Sequence, residues 1–518
     1  MAVNLHPDAD DDGRDIDDLV GGALVNLIGK LGRLARSVFL WFVALLFGAE
    51  ILGLYSLAWS VVFTVSRIGR FGLQRGVPRF VLLARATTRP QGAEAMLAAA
   101  LQVGLAASLP LAAGLAWLAP LLAGLFDQPQ LVPAIRLMAA CIPLLTATSV
   151  FVEATRALRI MRFGVYVYSM AGPLLLLAGG LVAAAMGAGL QGLAWAQVCM
   201  AAGMGILALT YCGRYFHLPA VGRALVTAPP SLQMARFCLP VMLTDVFHAL
   251  LLRLDIFMLG AYLDADDIGV YSAAQRLGSA LHKVPQAFDP IFSPIVSELV
   301  ARGWIRRLGP RFAALVRWIL SIDLVFLGAF VLSGKAILRL FGTEFTAGSD
   351  ALILLATAAT LQGVGAPAEA ILIMGGRPGL NLLGNLIWLS TTFLFNILLI
   401  PPLGVVGAAL AATLAAVCVT LLRLGAVYRT HHIHPFRWSQ IKPVSAAAVA
   451  GGVTWLMLQL VERVLPGVAW MELAGLVAFV PLYVGGLYVL GLEPEDRALA
   501  RRLLARRQRA APADRLQD

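Results

Sequence analysis

The chain has 518 residues, of which 59% are hydrophobic and only 13% are charged, and its formal net charge is +11. Soluble domains typically have about 25% charged residues, so this composition excludes a set of water-soluble globular domains. A helix of about 20 apolar residues crosses a bilayer, and the chain is long enough for many such crossings. We therefore expect a polytopic membrane protein. In such a protein the distribution of the excess positive charge indicates on which side of the membrane each loop lies.

Apolar stretches separated by short polar turns predict an all-α polytopic membrane protein with about 14 transmembrane helices. None of these stretches has the alternating pattern of a transmembrane barrel strand. In chain order the helices are predicted at about 23–48, 51–70, 94–119, 131–152, 165–187, 190–212, 232–260, 268–298, 311–333, 349–373, 380–400, 404–428, 441–462 and 470–491.

The positions of arginine and lysine predict the orientation of these helices. Twenty-seven of them fall in the even-numbered connections and the C-terminal tail, and three fall in the odd-numbered connections. Cytoplasmic loops carry the excess of positive charge. We therefore expect a multi-pass protein with both termini in the cytoplasm.

Three segments recur at an offset of 215 or 216 residues, which predicts an internal duplication. The matched pairs are 49–58 with 265–274, 153–154 with 369–370, and 189–196 with 404–411. Each repeat contains six predicted helices, an even number, so the two copies have the same orientation and are expected to form two lobes around a central cavity. The alignment of Glu50 with Asp266 also places an outer turn at 48–52, so the first helix is expected to end near residue 48.

The repeat and the loop charges together predict the organisation of the chain. It comprises an acidic cytoplasmic N-terminal segment (1–22), an N-lobe (23–216), a cytoplasmic linker (217–231), a C-lobe (232–430), two additional C-terminal helices (431–491) and a basic cytoplasmic tail (492–518).

Cationic residues within predicted spans are candidates for an anion-binding cavity, because charges in a bilayer usually face a cavity or a partner. Arg36 and Arg253 nearly correspond in the two repeats, at an offset of 217, and lie near mid-depth, and Arg276 and Lys283 are seven residues apart, so they are expected to share a helix face. An alternative for Arg36, Arg253 and Arg276 is a structural ion pair, and for Lys30 and Arg33 it is snorkelling to the cytoplasmic interface. The predicted cationic cavity consists of Lys30, Arg33, Arg36, Arg253, Arg276 and Lys283.

Two acidic residues near mid-depth, Asp255 and Asp323, are candidates for coupling to a proton or a sodium ion. The alternative is that each is an inter-helix partner of an arginine. Asp245 and Asp289 lie near the cytoplasmic ends of their helices and are expected to be solvated. The five cysteines lack metal-ligand spacing, and we expect no catalytic residue, metal site or cofactor.

Motifs of small residues and proline recur in the second half of the chain. They are YSAAQRL at 271–277, IFSPIVSEL at 291–299, FGTEF at 341–345, GGR at 375–377 and IPPLGVVGAA at 400–409. With them the chain, over about 20–490, resembles the polysaccharide transporter or O-antigen (lipid-linked oligosaccharide) flippase family. That family is a branch of the multidrug/oligosaccharidyl-lipid/polysaccharide exporter superfamily.

The resemblance implies a flippase of the bacterial inner membrane that translocates undecaprenyl-diphosphate-linked oligosaccharide repeat units by alternating access, for O-antigen, exopolysaccharide or capsule biosynthesis. The cationic residues would then hold the diphosphate or acidic sugars. In similar lipid-linked-precursor flippases the last two helices form a groove for the polyprenyl tail, which implies that role for 441–491. The implied partners are the lipid-linked oligosaccharide, membrane lipids and polysaccharide polymerase or export machinery, and not nucleic acid.

Three other functions compete with this one. A peptidoglycan lipid-precursor flippase shares fourteen helices and a basic cavity, and the sequence leaves it open. A multidrug/toxin extrusion antiporter usually has twelve helices and an acidic cavity, against which Arg36, Arg253 and Arg276 argue. A membrane-embedded glycan polymerase or ligase needs a large outer loop, whereas the longest outer connection, around 334–348, has about 15 residues. We therefore expect a transporter and not an enzyme.

Overall fold

A computed structural model describes residues 9–86, 92–227, 229–464, 471–491 and 493, and every regular element in these ranges is a helix. The predicted all-α fold class is therefore confirmed. Ten helical ranges among the described residues are long and apolar enough to cross a membrane. Two of them, Ala35–Ala86 and Pro378–His431, are long enough for two crossings each. The total of fourteen crossings stays a prediction, and the basic tail lies outside the described residues except for Glu493.

The chain forms two compact units, residues 1–273 and 274–518. This boundary lies inside a helix, Ala265–Gly278, whereas the predicted boundary between repeat lobes lies at 217–231. The helices of the first unit are α1 (Ala9–Gly69), α2 (Leu73–Ala86), α3 (Gly92–Leu125), α4 (Leu131–Met138), α5 (Cys141–Ala157), α6 (Arg162–Gly164) followed by a π-helical segment (Val165–Ala171), α7 (Gly172–Ala185), α8 (Gly189–Cys212), α9 (Leu218–Thr227) and α10 (Leu232–Tyr262).

Helix α11 (Ala265–Gly278) crosses the boundary between the units, and the remaining helices belong to the second unit. They are α12 (Lys283–Ala301), α13 (Leu308–Arg339), α14 (Ser349–Met374), α15 (Pro378–His431), α16 (Ile441–Val464) and α17 (Met471–Val489). Single 3₁₀ turns precede α13, α14 and α16.

The two longest helices are each interrupted at a glycine. In α1 the break is at Gly48, with φ 81° and ψ −179°, and in α15 it is at Gly404, with φ 55° and ψ −132°. Glycine adopts these positive-φ conformations without a Cβ clash, whereas other residues are strained there. The break at Gly48 falls where the repeat alignment places the end of the first helix.

The single helix predicted over 268–298 is wrong, because the chain forms α11 and α12 with a turn at 279–282 between them. The reason is Pro285, which has no amide hydrogen to continue the hydrogen-bond ladder. In the first turn of α12 the missing amide hydrogen is not needed, so the helix restarts there. Arg276 in α11 and Lys283 in α12 therefore lie on different helices, and the expectation that they share a face no longer applies.

Gly53 in α1 and Gly269 in α11 form a reciprocal close contact between the two predicted repeats. A Cβ on Gly53 would collide with the backbone of Ala265, and a Cβ on Gly269 would collide with the backbone of Ala49. Gly53 corresponds to Gly269, and Ala49 to Ala265, at the repeat offset of 216. The glycine of each repeat thus contacts the alanine of the other repeat. Such a reciprocal contact is typical of two-fold symmetry, as expected for two repeats with parallel orientation.

Two amphipathic helices, α2 and α9, form in segments that the sequence analysis treats as connections. Leu73, Val77 and Val81 of α2 and Val221 of α9 are buried in one apolar cluster with Met234 of α10. Arginines of α2 remain at its edge, as in the 4.6 Å approach of the Arg79 guanidinium carbon to the Phe237 ring centroid. The predicted linker 217–231 is thus partly helical.

The two additional C-terminal helices pack on α13. Phe479 and Tyr483 of α17 are fully buried, together with Ala446 and Ala450 of α16. The Tyr483 hydroxyl donates a hydrogen bond of 3.0 Å to the carbonyl oxygen of Ser321 in α13.

Candidate functional site

Three arginines of the first unit contact two aromatic rings of α1. The Arg36 Cζ lies 6.0 Å from the Trp59 ring centroid. Arg67 Cζ and Arg253 Cζ lie 4.8 Å and 5.1 Å from the Phe63 ring centroid. Trp59 and Phe63 are one helical turn apart, with ring centroids 6.1 Å apart. We call these five residues the arginine–aromatic cluster.

The cluster brings together cations from three different segments: Arg36 before the break in α1, Arg67 after it, and Arg253 in α10. Among the described residues, no carboxylate forms an ion pair with Arg36 or Arg67. A ring face attracts a guanidinium through its negative quadrupole and leaves the N–H edges to bind an anion in a forked geometry. The cluster therefore has the chemistry of an anion-binding site.

A second group of polar residues surrounds Arg70, one turn beyond Arg67. The Nε atoms of both arginines are buried and have no hydrogen-bond partner. Asp245 of α10 interacts electrostatically with both and accepts a hydrogen bond from the Gln74 side-chain amide. Asp245 is half-buried, so the expectation that it is solvated is only partly met.

The structure separates the two candidate coupling carboxylates. Asp255 is half-buried and accepts a 2.9 Å hydrogen bond from the Tyr271 hydroxyl. Arg253, two residues earlier, contacts the Phe63 ring. Asp323 in α13 is 0% exposed, and neither of its carboxyl oxygens has a hydrogen-bond partner. Its coupling role stays a prediction.

The remaining predicted site residues are not joined to the cluster by the described contacts. Arg276 is half-buried near the end of α11 and Lys283 is exposed at the start of α12, both in the second unit. Lys30 and Arg33 lie in α1, but their side chains are outside the described residues. The grouping of all six cations in one cavity therefore stays a prediction.

A polar network in the second unit is missed by the sequence analysis. Arg423 Nη2 of α15 lies 2.9 Å from Glu369 Oε2 of α14 and donates a 2.8 Å hydrogen bond to Asn385 Oδ1. The Asn381 amide donates a 3.0 Å hydrogen bond to Glu369 Oε1. Asn381 and Asn385 are one turn apart on α15. Two asparagines at this spacing in an apolar helix were the feature of the sequence that could have indicated the network. Because the network neutralises its own charge, we assign it a structural role.

The acidic residues at the start of α11 lie outside the predicted spans. Burial, reinforced by the neighbouring carboxylates of Asp264 and Asp266, raises the pKa of Asp267 above its usual value. Among the described residues, no three His, Cys, Asp or Glu side chains converge as a metal site.

The helical fold and the internal repeat define a class, the polytopic membrane proteins built from two helical repeats. Two solved structures share the fold. A lipid II flippase, MurJ, in an inward closed conformation has a TM-score of 0.71 at 13% identity, covering 90% of this chain and 98% of that one. An inward-facing multidrug resistance MATE family transporter of the MOP superfamily has a TM-score of 0.63 at 16% identity, covering 78% and 96%. At these identities the likeness concerns the fold alone.

Within that class the chain belongs to the polysaccharide biosynthesis protein family, whose sequence model matches residues 89–349, half of the chain. This confirms the resemblance drawn from the motifs. A curated relative, the probable low-salt glycan biosynthesis flippase Agl15 of Haloferax volcanii, is 28% identical over 202 residues. The match spans 38% of this chain and 42% of the relative, so the chain covers less than half the length of that protein.

Proposed function

We propose that the protein is a flippase that moves undecaprenyl-diphosphate-linked oligosaccharide repeat units from the cytoplasmic to the outer leaflet of the bacterial inner membrane. It works by alternating access and serves the biosynthesis of O-antigen, exopolysaccharide or capsule. The observation that carries the proposal is the arginine–aromatic cluster, in which Arg36 and Arg67 have no carboxylate partner within ion-pair distance among the described residues. Membership of the polysaccharide biosynthesis family and the similarity to a glycan biosynthesis flippase support it.

The chemistry of the cluster fits both parts of the substrate head group. Guanidinium groups bind phosphate oxygens through paired N–H donors, and charge-assisted hydrogen bonds of this kind are about twice as strong as neutral ones. The half-buried Phe63 ring adds an apolar surface beside the cations, suited to the hydrocarbon face of a sugar. In this proposal Arg276, Lys283, Arg33 and Lys30 extend the same positive surface.

The proposal is tested with the purified full-length chain in proteoliposomes that contain undecaprenyl-diphosphate-linked oligosaccharide. A membrane-impermeant sugar-modifying reagent reports the amount of substrate that reaches the opposite leaflet. The variant R36Q/R253Q/R276Q removes three predicted site cations, and we expect it to abolish translocation. The matched control R306Q/R311Q/R437Q removes three cations from exposed positions, and we expect it to retain translocation.

The same assay separates the competing functions. Translocation of a peptidoglycan lipid precursor but not of the oligosaccharide lipid identifies the protein as a precursor flippase. Efflux of an organic cation, abolished by D255N, identifies an extrusion antiporter. In cells, deletion of the gene is expected to deplete surface glycan and to accumulate lipid-linked intermediates on the cytoplasmic face. Normal surface glycan in cells carrying the site variant would refute the role of the cluster.

A further inference from the structure

A carboxylic acid is enclosed in the second unit without a partner among the described residues. Asp323 of α13 is 0% exposed, and both of its oxygens lack a hydrogen-bond partner. It packs against Gly363 of α14, where a Cβ would lie 2.6 Å from Asp323 Oδ2 and 3.1 Å from a methyl carbon of Ile319. The absence of a side chain at Gly363 is therefore what makes room for the carboxyl group between the two helices.

Some charged groups of the surrounding elements form ion pairs with one another. Glu369 pairs with Arg423, Glu298 with Arg302, and Lys442 with Glu493, and the Tyr483 hydroxyl donates to the Ser321 carbonyl. The titratable and charged residues on α13 and on the elements packed against it are His282, Lys283, Asp289, Glu298, Arg302, Arg306, Arg307, Arg311, Arg317, Lys335, Arg339, Glu344, Asp350, Glu369, Lys442, Glu462, Arg463, Glu472, Tyr483 and Tyr488. Among those with described side chains, none forms an ion pair or a hydrogen bond with Asp323.

An ionised carboxylate is strongly disfavoured in such surroundings. Moving an isolated ion into an apolar interior carries a penalty of several kcal/mol even after relaxation, and nothing here offsets it. A bound metal cation would need several oxygen ligands, but no described side chain donates to or ligates either oxygen. A protonated carboxyl, in contrast, is neutral and can donate to a backbone carbonyl of the preceding helical turn, as the Ser321 hydroxyl does to Arg317.

We propose that Asp323 is a proton-binding site, occupied by a proton in this conformation and emptied when α13 and α14 separate at Gly363. The proton comes from water, forms an O–H bond with one carboxyl oxygen, and returns to water when the site opens. The linkage of this step to substrate movement rests on the proposed function, whereas the binding of the proton does not.

The opposite face of α13 restricts where the site can open. The Phe479 ring of α17 lies against Gly328, and Tyr483 is fixed to the Ser321 carbonyl. The two C-terminal helices thus hold α13 on the side away from α14. Movement that exposes Asp323 is therefore expected at the contact between α13 and α14, and the terminal pair is expected to move together with α13.

The first test compares thermal unfolding of the purified chain between pH 5 and pH 9 for wild type, D323N and a control, D350N, which alters an exposed aspartate on α14. An Asp held neutral by the fold lowers stability as the pH rises, because the unfolded chain ionises freely and the folded one does not. We expect the melting temperature of wild type and D350N to fall with pH more steeply than that of D323N. Parallel curves for wild type and D323N would overturn the proposal.

Two further measurements complete the test. A sodium-dependent rise in the melting temperature of wild type, absent from D323N and not reproduced by choline, would also overturn it in favour of a sodium site. If D323N does not fold, the infrared spectrum of wild type at pH 8 tests the proposal instead. A carbonyl band of a protonated carboxylic acid that disappears at higher pH supports the proposal. The absence of this band refutes it.

The linkage to transport is tested in the proteoliposomes by imposing a pH gradient. We expect the gradient to change the rate of translocation several-fold in wild type and to have no effect in D323N. Translocation that is insensitive to the gradient in wild type refutes the coupling and leaves the flippase proposal intact. A pH-dependent difference in stability without any translocation refutes the flippase proposal and leaves the proton site intact.

Discussion

Adding one methyl group at the reciprocal contact between the repeats is expected to destabilise the protein. In G53A the new Cβ would lie 2.8 Å from the carbonyl carbon of Ala265 and 2.8 Å from the amide nitrogen of Gly269. In G269A it would lie 2.7 Å from the carbonyl carbon of Ala49. Carbon atoms in contact are normally about 3.5–4.0 Å apart, and these neighbours are backbone atoms that cannot rotate away. The two helices must therefore separate.

The magnitude follows from the cost of overpacking. Inserting a methyl group into a tightly packed interior typically destabilises by about 1–3 kcal/mol. The favourable change from glycine to alanine within a helix offsets about 0.5–1 kcal/mol of this. We expect a net loss of about 1–2 kcal/mol for G53A and for G269A. The loss is read as a fall in the melting temperature of the purified protein in detergent.

The matched control is G114A, because a Cβ at this position of α3 would have no neighbour within 4 Å. It should leave the melting temperature unchanged or raise it slightly. The double variant G53A/G269A is expected to lose less stability than the sum of the single variants, since one separation of the helices relieves both collisions. Additive losses, or single variants as stable as G114A, would refute the reciprocal contact.

Three other substitutions test particular interactions. R423M leaves the carboxylate of Glu369 without its cation and is expected to lower the free energy of unfolding by about 3 kcal/mol. The double variant E369Q/R423M should lose less stability than R423M. Equal losses of stability in the two variants would contradict the pairing. Y483F removes the hydrogen bond to the Ser321 carbonyl and should lower stability by about 1 kcal/mol, measured as a lower melting temperature. An unchanged melting temperature would show that the hydrogen bond contributes nothing to stability. Burial and two acidic neighbours raise the pKa of Asp267, so the folded state disfavours its ionised form. The stability of the protein therefore falls as the pH rises through the ordinary pKa of an aspartate, about 4. D267N should therefore be more stable than wild type at pH 7 and equal to it at pH 3, and a constant difference across this range would refute the electrostatic cause.

The sequence predicts the all-helical architecture because lipid imposes one requirement, a long apolar helix, that is readable along the chain. It predicts the break at Gly48 through the repeat, since Glu50 aligns with an evident polar turn at Asp266. It does not predict the turn between α11 and α12, because a proline in an apolar stretch can either kink a helix or begin a new one. The amphipathic helices α2 and α9 are missed because short, arginine-rich segments resemble loops.

The candidate site is predicted only in part, for a related reason. Depth in the bilayer follows from residue number, so Arg36 and Arg253 could be placed near mid-depth from the sequence. The contacts of a side chain depend in addition on the rotation of its helix and on which helix lies beside it. Nothing in the sequence therefore indicated that Arg67 and Arg253 both contact Phe63, or that Arg423 neutralises Glu369.

The contact between Gly53 and Gly269 has an evolutionary consequence. A self-complementary contact inside one chain is what remains when the gene of a symmetric homodimer is duplicated and fused. In the homodimer every mutation would have appeared in both halves, whereas after fusion each half can change alone. At the repeat position of Asp323 the first half of this chain has Ala107. One half therefore carries the buried carboxyl group and the other does not, whereas both halves carry the glycine of the shared contact.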